Sequence, residues 1–64
     1  MKLLKEVWRS DYTLKLEYDS ATTTYWVKVI TGSPDSDRFA YITSFSLLSE
    51  AERFFDLLVE QVKQ

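Results

Sequence analysis

The sequence predicts an α+β domain: a short amino-terminal helix, a three-stranded antiparallel β-meander, and a carboxy-terminal helix packed on one face. Three observations lead there. In Asp11–Tyr18, Tyr12, Leu14, Leu16 and Tyr18 alternate with Thr13, Lys15 and Glu17, the period of a strand with one buried face. Farther on, Leu47, Ala51, Phe54, Phe55, Leu58 and Val62 fall on one helical stripe that needs a sheet to lie on. Between them, two more β-prone runs are joined by short connections, which favours sequential antiparallel pairing.

At the amino terminus, Leu3, Leu4, Val7 and Trp8 have the i, i+1, i+4, i+5 spacing of one helix face, with Lys2, Lys5, Glu6 and Arg9 opposite. A helix this short needs packing to hold it. In the competing reading, Glu6–Ser10 prolongs the first strand. In both, Trp8 is expected to seal an edge of the core. Asp19-Ser20-Ala21-Thr22 reads as a turn, because Asp and Ser side chains bond nearby backbone.

Thr23–Thr31 is the second strand, with Tyr25, Val27 and Val29 on its expected core face. Trp26 and Ile30 then share the outer face with Thr13 and Lys15. An outward Trp is either covered by the amino-terminal segment or kept as a partner contact, a role in which Trp is enriched. Gly32–Asp37 holds the only Gly and the only Pro and reads as a loop. Arg38–Ser44 is the third strand. For the last helix, Ser49 and Glu52 form a capping box, with Ser46 as an alternative cap. Glu50, Glu52, Arg53, Asp56, Glu60 and Lys63 are expected in solvent. Phe54→Ala is expected to cost about 3–5 kcal/mol, as for a buried Phe.

A length of 64 residues allows a single domain, 1–64, near the lower limit for a core without staples. With no cysteine there is neither a disulfide nor a thiolate metal site, so aliphatics and aromatics, among them two Trp, four Tyr and four Phe, must build the core. The net charge of −2 and pI near 4.9 give no basic footprint for nucleic acid. From Gly32 onward, Asp35, Asp37, Glu50, Glu52, Asp56 and Glu60 outweigh Arg38, Arg53 and Lys63. No apolar run approaches a membrane span, and Lys5-Glu6 interrupts any signal-like start. A cytoplasmic protein without membrane partner is expected.

Catalysis is not expected. The chain has no His and no Cys, and its serines lie in turns or caps. A helix on a small sheet leaves little room for a substrate pocket. Asp35-Ser36-Asp37 opens like a calcium loop but lacks the Gly and the distant Glu of one. No cofactor and no metal are expected. The remaining feature is an acidic, loop-borne surface, which either keeps the protein soluble or offers carboxylates to a groove built for phosphates.

Leu3-Leu4-Lys5-Glu6-Val7 followed by Asp11-Tyr12-Thr13-Leu14-Lys15-Leu16 resembles the opening of a small phage-encoded type II-A anti-CRISPR protein. A looser likeness runs from Arg38 to Val59. The resemblance implies a short helix, a three-stranded sheet and helical packing after it. It also implies a non-enzymatic inhibitor in the host bacterial cytoplasm that occupies the PAM-reading groove of a guide-loaded CRISPR nuclease, its carboxylates meeting arginines that otherwise grip DNA. By position, Asp11 matches the family's acidic residue at the first strand, and Asp35 and Asp37 its acidic loop, here longer and containing Pro34. The family's acidic segment beyond the last helix has no counterpart before Gln64. Trp26 is the expected apolar anchor. The alternative is a small protein-interaction module, monomer or dimer, using the exposed sheet face or edge.

Overall fold

A computed structural model describes residues 1–9, 12–31 and 39–61, with backbone alone at Phe39 and Ala40. Its elements are β1 (Lys2–Trp8), β2 (Tyr12–Asp19), β3 (Thr24–Thr31), β4 (Phe39–Phe45) and α1 (Leu48–Gln61). The four strands form one antiparallel sheet in the order β1-β2-β3-β4, and α1 lies across β2, β3 and β4 on one face.

The expected amino-terminal helix is replaced by a strand. Register explains why the spacing misled: Leu3 is opposite Glu17 but Lys5 is opposite Leu16, so Leu4 is an extra residue in β1. A bulge of one residue moves the alternation by one. Leu3, Glu6 and Trp8 then share the open face, while Lys5 and Val7 turn toward the helix. The alternation broken at Leu4 yields the pairs 3,4 and 7,8, which imitates a helix face. Trp8 does not seal the core; it stays 65 % exposed.

The central strands behave as their alternation predicts. Leu14 and Leu16 of β2, Val27 and Val29 of β3, and Ala51 and Phe55 of α1 form the buried core. Val7, Tyr25, Phe45, Phe54, Leu58 and Val59 pack around it. Tyr18 and Tyr25 sit side by side across β2 and β3, ring centroids 4.8 Å apart. The β2–β3 turn is closed by the Ala21 N–H donating to Asp19 Oδ1 at 3.0 Å. Thr23, the expected first residue of the second strand, instead belongs to this turn, with φ near 50°. That is the left-handed region, costly for a β-branched residue.

Two expectations for the last helix change. It begins at Leu48, and the Ala51 N–H donates to the Leu47 carbonyl at 3.1 Å, so Ser49 lies inside the first turn and Leu47 occupies the cap position. The apolar stripe also rotates slightly. Ala51 and Phe55 are its buried centre, Phe54 is only partly buried, and Leu47 faces solvent. Val62 and Lys63 lie outside the described residues.

Candidate interaction site

An open four-stranded sheet has two edges, and here they differ in chemistry. β1 carries Lys2, Lys5 and Glu6 and is distorted by the Leu4 bulge. Charges and bulges are the usual means by which an edge refuses a further strand. β4 reads Phe39-Ala40-Tyr41-Ile42-Thr43-Ser44-Phe45, without a charge or a proline. It has one register shift opposite Val29–Ile30, and from Tyr41 to Phe45 its pairing with β3 is regular. No strand among the described residues pairs with its outer side.

Exposed apolar side chains border this edge. Tyr41 is 48 % and Ile42 46 % exposed, on opposite faces of the sheet. On the helix side, Tyr41 and Phe45 meet Phe54 at ring-centroid distances of 6.0 and 5.4 Å. A shallow groove of about 220 Å³ lies beside them, lined by Phe45, Glu50, Arg53, Phe54 and Leu57. Leu57, like Leu47, is 57 % exposed. Apolar surface thus continues from the strand edge to the adjoining flank of α1, with one carboxylate and one guanidinium beside it.

The face of the sheet away from α1 is different. Glu6 stands opposite Lys15, and Lys15 opposite Lys28. Two directly opposed lysines repel, and each is neutralised by a neighbour. Lys15 Nζ is 3.7 Å from Glu6 Oε2, and Lys28 Nζ is 2.5 Å from Glu17 Oε1, diagonally across the strands. The Glu17 oxygen is buried, so the lysine ammonium is what compensates its charge there. Ile30 and Thr13, neighbours in the same cross-strand row, are buried. The middle of this face is therefore a half-buried ion-pair lattice, with Leu3, Trp8 and Ile42 exposed toward its two edges.

Of the expected site residues, only Trp26 is described. It sits in the middle of β3, opposite Glu17 and Ser44, and is half-buried. The amino-terminal segment forms the edge strand β1, and Met1 reaches back across this face to Lys28, two residues along β3 from Trp26, with Met1 Sδ 3.8 Å from Lys28 Nζ. Its Nε1–H is buried with no acceptor within hydrogen-bonding distance among the described residues. Asp11, Asp35 and Asp37 lie outside the described residues. Tyr12 pairs with Thr31, so the described start of β2 and the described end of β3 are side by side. Among the described residues no cluster of His, Cys, Asp or Glu is placed to hold a metal ion, and no helix is long and apolar enough to cross a membrane.

Sequence reasoning missed the importance of β4, although a signal was available. The seven residues from Phe39 to Phe45 contain no charge, and the last strand of a meander is an edge by topology. Leu57 was not on the expected stripe and could only be recognised once it was seen to share a groove with Phe45 of β4.

Compared with protein-family models, curated protein sequences and solved structures, the chain matches none.

Proposed function

We propose that this chain is a non-enzymatic protein-interaction module that accepts a partner strand along β4. The observation that carries this reading is the asymmetry of the two edges: β1 is charged and bulged, whereas β4 is uncharged and regular from Tyr41 to Phe45. A strand added there gains main-chain hydrogen bonds, and alternate side chains enter the groove beside Phe45, Phe54 and Leu57. The test is a titration of the labelled chain with uncharged, alternating Val/Thr heptapeptides, followed by amide NMR. Shifts confined to Tyr41–Phe45 and the Phe54–Leu57 flank are expected. No shift, or shifts centred on β1, would refute strand acceptance.

A second reading is inhibition of a guide-loaded CRISPR nuclease by acidic occlusion of its PAM-reading groove. One observation favours it. The Tyr12–Thr31 pair sets the beginning of β2 next to the end of β3, and in sequence these ends adjoin Asp11 and the segment with Asp35 and Asp37. Against it stands β1, a strand where the family implied by the resemblance has a helix. In this reading Trp26 is an apolar anchor and the protein works in the host bacterial cytoplasm. It predicts salt-sensitive binding to the guide-loaded nuclease, weakened by Asp35→Ala with Asp37→Ala while folding is unchanged. Binding unaffected by salt or by these changes would sink it.

A further inference from the structure

We propose that the strand accepted by β4 is β4 of a second copy, joining two four-stranded sheets into one continuous sheet about a two-fold axis at Ile42. This inference rests on the strand-accepting reading of β4 and names its partner. The strand is suited to pairing with itself. With the axis at Ile42, Ile42 faces its own counterpart and Tyr41 faces Thr43, all within the regular part of β4. β-Branched and aromatic cross-strand pairs are favourable, and no like charges meet because the strand has none. Ile42, 46 % exposed in the single copy, becomes covered by the same residue of the other.

The helix flank is also complementary to itself. An antiparallel ladder about such an axis leaves both α1 helices on the same face, on either side of the seam. Glu50 and Arg53 line the groove on the flank of α1 next to β4. Under a two-fold axis, any contact of Glu50 in one copy with Arg53 in the other is made twice, so the acid and base of this flank are self-complementary in sign. Leu57 and Phe54, in the same groove, supply apolar surface over the seam. The net charge of −2 per copy opposes association only weakly.

Sedimentation equilibrium of the full chain tests this directly. The mass is expected to rise from 7.6 kDa to twice that value between micromolar and sub-millimolar concentration. Ile42→Lys puts two ammonium groups face to face at the axis and is expected to weaken association at least about tenfold. Ile42→Cys is the companion variant, since the chain has no cysteine of its own. It is expected to oxidise to a covalent pair, while Leu3→Cys on β1 remains single. The inference is overturned by a mass that stays at one copy, by doubling that survives Ile42→Lys, or by cross-linking of Leu3→Cys as readily as Ile42→Cys. If Ile42→Lys does not fold, the two cysteine variants decide. A single-copy mass combined with binding of the Val/Thr heptapeptides removes the second copy as partner but leaves strand acceptance standing; loss of both removes both.

Discussion

Phe55→Ala measures how much of this small domain hangs on one side chain. Phe55 is 2 % exposed and meets the core of Leu14, Leu16, Val27, Val29 and Ala51. Removing a buried Phe costs about 3–5 kcal/mol, part lost transfer energy and part cavity. A domain of 64 residues has on the order of 3–10 kcal/mol in total, so the variant sits at or near the limit of folding. Where it still folds, the melting midpoint should drop by on the order of 20 °C. Phe54→Ala is the paired control. Phe54 packs on Tyr41 and Phe45 at the border of the core and is only partly buried, so its loss should cost less. Urea unfolding of both variants at fixed protein concentration gives the two values. A loss below about 1 kcal/mol at Phe55, or a larger loss at Phe54 than at Phe55, would refute the packing of α1 described above.

Further outcomes follow from local geometry. Thr23→Gly removes the Cβ clash of a β-branched residue near φ 50° and should stabilise by about 0.5–1 kcal/mol in thermal melts; destabilisation would contradict the turn conformation. Lys28→Ala strips the buried Glu17 oxygen of its compensating ammonium and should cost on the order of 1–3 kcal/mol. Lys5→Ala, by contrast, breaks contacts to Glu52 at 3.5 Å and Asp56 at 3.9 Å in which all three side chains are over two-fifths exposed; the effect should stay within about 0.5 kcal/mol. A double-mutant cycle at Glu17 and Lys28 should show coupling that disappears for Lys5 and Glu52.

Much of the fold could be read from residue order. In β2 and β3, strict alternation reflects one face under a helix, so Leu14, Leu16, Val27 and Val29 identified themselves as core. The stripe on α1 was legible for the same reason, through Ala51 and Phe55. β1 was not, because the Leu4 bulge breaks the period on which the reading depends, and seven residues are too few to restore it. The cap was misplaced because Ser49 and Glu52 match a capping pattern that the backbone realises around Leu47 instead.

The candidate site was less legible. Acidic residues attract notice in a chain with negative charge, and they pointed to Asp11, Asp35 and Asp37. The absence of charge in Phe39–Phe45 is a quieter signal, which acquires meaning only when β4 is known to lie at the border of the sheet with Tyr41 and Ile42 exposed. The outer face of β3 looked apolar through Trp26 and Ile30. Burial of Ile30 and the ion pairs of Glu6, Lys15, Glu17 and Lys28 give that face another character, which only cross-strand register could reveal.

Amide hydrogen exchange, recorded residue by residue as protein concentration is raised, tests most directly whether β4 is the edge that takes another strand. Protection should grow within Tyr41–Phe45 while amides of Lys2–Trp8 keep their exchange rates. Equal behaviour of the two edges, or protection that grows on β1 instead, would contradict it.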